Sequence, residues 1–233
     1  MMPIPVLYED NHVLVVEKPV NVLSQADRTG DPDMLSLLKQ DLKRRYHKPG
    51  NVYLGLVHRL DRPVGGVMVF AKTSKAAARL SKQIADGSFQ KVYLAVLEGI
   101  LPQPAGRLVH FLTKDSAANL ISASSTPVPG AKEAVLEYEV LGCSGRRTLV
   151  RVDLKTGRPH QIRVQFAAEG YPLVGDRRYG REAAKQLPIG LWAYQIGFSH
   201  PTKQEWLTFC LPPPQTEPPW NLFDWNQIKV MKQ

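Results

Sequence analysis

Between Leu56 and Gly66 the chain reads LVHRLDRPVGG, which sets Asp61 between Arg59 and Arg62 just ahead of an almost wholly apolar run. Charge in that position is unusual and has two readings. One is a turn carrying a surface ion pair, for which the flexible Gly65-Gly66 is enough. The other is a carboxylate kept ionised for chemistry by neighbouring cations. A second segment, Thr156 to Tyr171, reads TGRPHQIRVQFAAEGY and puts His160 and Arg163 three apart on the first turns of an expected helix, where they share a face. Ile162 and Phe166 mark the neighbouring, inward face; the alternative is a solvated basic helix end. A third segment, Lys91-Val92-Tyr93-Leu94-Ala95, sets a lysine and a tyrosine on one side of a strand, although a strand tyrosine is as readily core. Last, Gly175-Asp176-Arg177-Arg178-Tyr179-Gly180 is a basic loop bounded by glycines, suited to phosphates and equally to plain solvent exposure.

These residues need a scaffold, and the chain punctuates itself clearly enough to expect one. Val6-Leu7-Tyr8 and Val13 to Val16 flank a polar turn and read as a hairpin. Asp31-Pro32-Asp33 supplies cap chemistry for a helix to about Tyr46, with Leu35, Leu38 and Leu42 on one face and Lys39, Lys43, Arg44 and Arg45 on the other. Gly66 to Ala71 reads as a buried strand. Ser74 is expected to cap a second helix that Gly87 ends, with Ala77, Leu80 and Ile84 as its apolar stripe. Strands are expected at Lys91 to Leu97, repeatedly from Arg107 to Leu154, at Leu191 to Phe198 and at Trp206 to Leu211. A short helix is expected from Pro159 to just before Gly170. Strands interrupted by a few helices without strict β-α-β alternation indicate an α+β fold, a mixed and largely antiparallel sheet with flanking helices. The expected organisation is one domain over residues 1–233, ending in a proline-rich tail at 212–233.

Bulk composition narrows the partners. With 43% apolar residues in 233, the chain can bury a sizeable core and is too hydrophobic to be disordered. Thirty Lys plus Arg against 21 Asp plus Glu give a formal charge of +9, which favours a polyanion, nucleic acid first, over an ordinary basic protein without such a partner. Cys143 and Cys210 stand alone, so neither a disulfide framework nor a structural zinc site is indicated and a reducing cytoplasm fits. Residues 1–11 have no secretory pattern, and the apolar runs fall well short of the roughly 20 residues that span a membrane.

Taken together, the segments resemble the RluA-type family of pseudouridine synthases. That family combines a His-Arg-Leu-Asp turn, here His58 to Asp61, with a Lys-x-Tyr strand, here Lys91 to Tyr93, and a Thr-Gly-Arg-x-His-Gln-Ile-Arg stretch, here Thr156 to Arg163. Further similarity runs through Tyr8 to His12, Glu17-Lys18-Pro19, Gly170 to Asp176 and Phe198 to Thr202. The resemblance implies the pseudouridine synthase catalytic fold and an isomerase that converts uridines of structured ribosomal or transfer RNA, with base flipping and with neither cofactor nor metal. Asp61 would be the catalytic aspartate, Tyr93 the ring near the target uracil, and Arg163 the cation holding the Asp61 carboxylate. Arg59 would help eject the base, and Arg62, Arg158, His160, Arg177, Arg178, Lys43 and Arg44 would contact RNA. No membrane and no obligate protein partner are implied; the expected state is a cytoplasmic monomer.

The chain departs from the family pattern in places. The usual Asp-x-x-Thr-Ser-Gly is Asp61 to Gly66 with Val64-Gly65, Lys-Pro-x-Gly ends in Asn21, and the histidine expected after Arg-Val is Gln165. Asn21 can adopt the left-handed backbone that glycine would have supplied. The rival from another class is a non-catalytic RNA-binding or RNA-folding factor on the same scaffold, marked by loss of Asp61, Tyr93 or Arg163; all are present. A glycoside hydrolase would use two carboxylates, and only one stands out.

Overall fold

The computed structural model describes residues 4–115, 120–182 and 186–228. Residues 116–119, inside the expected β-rich stretch, and 229–233, at the end of the expected tail, lie outside the described residues. In chain order the first elements are β1 (Val6–Glu9), β2 (Val13–Lys18), α1 (Met34–Arg45), β3 (Gly55–Leu56), β4 (Gly65–Ala71) and α2 (Ser74–Ala85). There follow β5 (Gln90–Glu98), β6 (Ala105–Asp115), β7 (Leu120–Ser124), β8 (Lys132–Ser144) and β9 (Arg147–Leu154). The chain closes with α3 (Gln161–Ala168), β10 (Leu191–Ser199) and β11 (Trp206–Cys210), then a 3-10 turn at Trp220–Leu222. Two compact units are formed, Met1–Gln90 with Ala193–Pro212, and Lys91–Trp192 with Pro213–Gln233.

In the first unit the strands lie in the order β1-β2-β4-β10, with β3 against β4 and β11 against β10. The β1/β2, β2/β4, β3/β4 and β10/β11 pairs are antiparallel. Strands β2 and β4 are apolar on both faces. Val13, Val15, Val67 and Val69 join Leu80 of α2 and Phe198 of β10 in one core cluster, and the residues that alternate with them, Leu14, Val16, Met68 and Phe70, are equally buried. Each such side chain contributes about 1.5–3 kcal/mol relative to exposure. The expected helix caps shift slightly. Asp33 caps α1 by accepting from Ser36 N at 3.0 Å, and the buried stripe is Met34, Leu38 and Leu42 rather than one through Leu35, because the true spacing is four residues. Thr73, not Ser74, caps α2, accepting from Ala76 N at 3.1 Å. The hairpin turn is tied to the turn after β10 by Asp10, which accepts from His12 N, Val13 N and His200 Nε2 at 2.7, 2.8 and 2.8 Å. Two sequence segments that looked independent, Tyr8 to His12 and Phe198 to Thr202, are thus one joint.

In the second unit the order is β5-β9-β8-β6-β7, and every neighbouring pair is antiparallel. Helix α3 begins at Gln161, two residues after the expected Pro159, because His160 takes a left-handed backbone with φ 53° and acts as the cap position. Its face is not the simple amphipathic stripe expected: Gln161 and Gln165 are buried alongside Ile162 and Phe166. Their amides bind the helix to the sheet. Gln161 Nε2 donates to Val135 O and Gln165 Oε1, while Gln165 Nε2 donates to Ala134 O at 3.1 Å. Gln165, a departure from the family pattern, therefore fastens α3 to β8.

Candidate active site

Asp61 stands in a turn held from three directions inside the first unit. Val64 N donates to Asp61 O at 3.0 Å and closes the turn. Ser24 Oγ donates to Leu60 O at 2.8 Å and accepts from Leu60 N at 3.1 Å. The ammonium of Lys18, fully buried, donates to Pro19 O, Arg62 O and Val64 O at 2.9, 3.1 and 2.7 Å. Burial pushes Lys18 down to about 7; the Asp61 carboxylate counteracts this and Arg62 adds to it. A lysine under the turn thus fixes the backbone that follows Asp61, at Arg62 and Val64, and ties it to Pro19 with three donors. His58 Nε2 accepts from Val69 N at 3.1 Å, anchoring the start of the turn to β4. Asn21 adopts the left-handed conformation at φ 64°, and its carbonyl accepts from Arg62 Nε at 3.3 Å. Gly66 needs to be glycine: its φ is 123°, and a Cβ would run into the backbone of Ala193.

The cations expected to meet RNA in this unit are on its surface. Arg59 and Arg62 are exposed, and Arg62 pairs with Asp31 at 2.7 Å. Lys43 and Arg44 lie exposed on the last turn of α1, away from the Asp61 turn in the chain, with Arg44 on Asp41 at 3.0 Å.

The second unit holds Tyr93 in β5, paired across to Val152 of β9 and 8% exposed. Arg163, 6% exposed, reaches from α3 to Asp176, 1% exposed, in a two-pronged pair: Nε to Oδ2 and an Nη to Oδ1, both 2.8 Å. Burial works against ionised Asp176, but Arg163 and the backbone N–H groups of Arg178 and Tyr179 hold its carboxyl below the usual range. His160 and Arg163 do not share a helical face, since His160 precedes the helix. They nevertheless serve one loop: His160 Nδ1 is 2.8 Å from Tyr179 Oη, and the guanidinium of Arg163 lies 5.3 Å from the Tyr179 ring centre. The Gly175 to Gly180 loop is therefore locked onto α3, with Arg177 and Arg178 exposed at its rim. Arg158 Nε donates to Glu133 O at 2.9 Å, tying the Thr156 to Arg158 turn to β8.

Three contributors were missed in the sequence: Lys18, Asp176 and Tyr179. Asp176 carries a readable signal, a lone acid among arginines and glycines, the same composition that singled out Asp61.

A family model described as RNA pseudouridylate synthase matches residues 12–168. The chain is 35% identical over 228 residues to an uncharacterized RNA pseudouridine synthase of Aquifex aeolicus, covering 92% of this chain and 71% of that protein. It is 38% identical over 185 residues to ribosomal large subunit pseudouridine synthase D of Pseudomonas aeruginosa, covering 75% of this chain and 53% of that one. The chain thus spans from about half to about seven tenths of the length of these relatives. Among solved structures, human RNA pseudouridylate synthase domain containing 1 is 25% identical with a TM-score of 0.73, covering 92% of this chain and 87% of that one. Human RNA pseudouridylate synthase domain containing 4, at 21% identity and a TM-score of 0.77 over 94% of this chain and 90% of that one, shares the fold.

Proposed function

Because the chain belongs to the RNA pseudouridylate synthase family, we propose that it isomerises specific uridines of structured RNA to pseudouridine. RNA of the large ribosomal subunit is the first candidate substrate, since the Pseudomonas aeruginosa relative is named for it, and transfer RNA the second. The observation that carries this reading is the matched span, which contains Asp61, Tyr93 and Arg163.

The reaction breaks the bond from ribose C1′ to uracil N1, turns the base and joins C1′ to C5; the proton displaced from C5 is balanced by one gained at N1. Redox state does not change. As the base departs, positive character grows on the ribose, and a carboxylate kept ionised answers it. Asp61 takes that role. Arg163 serves the Asp61 carboxylate as well as Asp176, which occupies two of the guanidinium's five N–H groups. Tyr93 offers a face to the flipped uracil, and Arg59 fills the space the base leaves, offsetting a flipping cost of a few kcal/mol. Arg62, Arg158, His160, Arg177, Arg178, Lys43 and Arg44 meet the phosphates, so binding weakens steeply with salt. In this reading the chain works as one catalytic domain, a monomer in the cytoplasm; among the described residues no helix is long and apolar enough to cross a membrane.

The test is to incubate purified protein with ribosomal and transfer RNA transcripts and to map pseudouridine chemically. Pseudouridine at discrete positions supports the proposal. No product in either RNA, or free uracil in its place, overturns it in favour of a binding factor or a hydrolase.

A further inference from the structure

Among the described residues two lysines are buried, and one of these two is satisfied. Lys18 gives its ammonium to three carbonyls. Lys91, 7% exposed at the start of β5, makes no hydrogen bond or ion pair among the described residues. A buried ammonium without a partner is costly, and a fold that keeps one needs an anion to meet it.

The surroundings are short of that anion. The acid that acts on Lys91, Asp153, is shared: it holds Lys155 at 2.9 Å, together with Glu137 at 3.1 Å. Arg158 adds a second positive charge. Burial first, and then Arg158, favour loss of the Lys91 proton, with Asp153 opposing. Counting Lys91, Lys155 and Arg158 against Asp153 and Glu137 leaves one unmatched positive charge. The end of Lys91 lies against the Thr156 to Arg158 turn. A Cβ on Gly157, which is exposed, would lie 3.2 Å from Lys91 Nζ, so only the backbone of a residue without a side chain separates the ammonium from the surface there. Arg158 spends its Nε on Glu133 O, and its terminal nitrogens make no hydrogen bond or ion pair among the described residues.

We propose that Lys91 and Arg158, on either side of the side-chain-free Gly157, bind a backbone phosphate of the RNA substrate. The proposal rests on the reading of the chain as an RNA-modifying enzyme. Lys91 and Tyr93 are two residues apart on one face of β5, about 6.6 Å along the strand. That spacing suits the phosphate and base of a single nucleotide.

The experiment measures the affinity of wild-type protein, Lys91→Met and Lys91→Arg for a ribosomal RNA transcript across a salt series. It then repeats the measurement with short RNAs in which single phosphates are replaced by neutral methylphosphonates. Loss of one charge-assisted contact should weaken Lys91→Met binding about 10- to 100-fold. It should also reduce the slope of log affinity against log salt by about 0.7 to 0.9, and Lys91→Arg should recover most of both. One methylphosphonate position should weaken wild-type binding and leave Lys91→Met unaffected. Because an unmet buried charge is removed, the thermal midpoint of Lys91→Met should hold or rise. Unchanged affinity and salt slope, or methylphosphonate effects that add to the substitution at every position, would overturn the site; so would a clear fall in the midpoint, which would make Lys91 structural. Affinity needs no turnover, so absence of pseudouridine from wild-type reactions would sink the parent reading and leave this result legible.

Discussion

Replacing Asp176 by alanine removes the carboxylate that accepts from Arg163 Nε and Nη and from the backbone N–H groups of Arg178 and Tyr179. The two N–H groups border exposed Arg177 and Arg178 and can turn to water, so they add little. Arg163, 6% exposed, cannot. Breaking one side of such a buried pair costs about 3–5 kcal/mol, and at about 2–4 °C per kcal/mol for a chain of this size the midpoint should fall by roughly 6–20 °C. Urea unfolding followed by circular dichroism measures the loss. Arg163→Met combined with Asp176→Ala should recover part of it, because neither charge of this buried pair then remains. Since the folded carboxyl of Asp176 is held below its ordinary value, its contribution is present above the unfolded pKa near 3.9. That contribution is lost as pH falls through the lower folded value. Asp176→Ala should lack this part of the acid dependence. A variant within about 1 kcal/mol of wild type, or losses that simply add in the double substitution, would refute the pairing argument.

Three further outcomes follow from the same physics. Lys18→Met strands the carbonyls of Pro19, Arg62 and Val64 and should lower turnover by loosening the Asp61 turn, with a stability loss of about 1–3 kcal/mol; steady-state kinetics beside urea unfolding checks both. Lys18, at about 7 when folded against 10.5 ordinarily, binds its proton less tightly in the fold, so its contribution to stability rises with pH between those values, and Lys18→Met should flatten that rise at pH 7 to 10. Gly66→Ala should cost at least about 1–3 kcal/mol from backbone strain alone, plus the collision with Ala193, read as a lower thermal midpoint or insoluble protein.

The order of elements was legible because local chemistry declares it. Polar turns, Asp33 as a cap, Gly87 as a stop and the apolar β4 run each specify an element without reference to the rest of the chain. Where tertiary contacts decide, local sequence is not enough. Pro159 looks like a helix start, but the left-handed His160 delays α3, because the ring is drawn to Tyr179 in a loop nineteen residues later. The sequence offers no reason to bury Gln161 and Gln165, which are polar; they are buried because their amides donate to the carbonyls of Val135 and Ala134. Asp61 and Arg163 could be picked out by type and motif; Asp176 stands out by its arginine and glycine neighbours, but neither its role nor that of Lys18 is readable, because a lysine in a strand and an acid in a loop acquire their roles from carbonyls and a guanidinium distant in sequence. The Asp10–His200 joint spans 190 residues and has no local signature at all.

The central claim is that Asp61 carries the isomerisation, and one substitution bears on it most directly. Asp61→Asn keeps the size of the side chain and leaves the three carbonyl contacts of Lys18 in place. Pseudouridine should be mapped in ribosomal and transfer RNA after incubation with the pure variant, with its thermal midpoint and RNA affinity measured alongside. The account predicts a folded protein that binds RNA as the wild type does and forms no pseudouridine; measurable turnover by Asp61→Asn would contradict it.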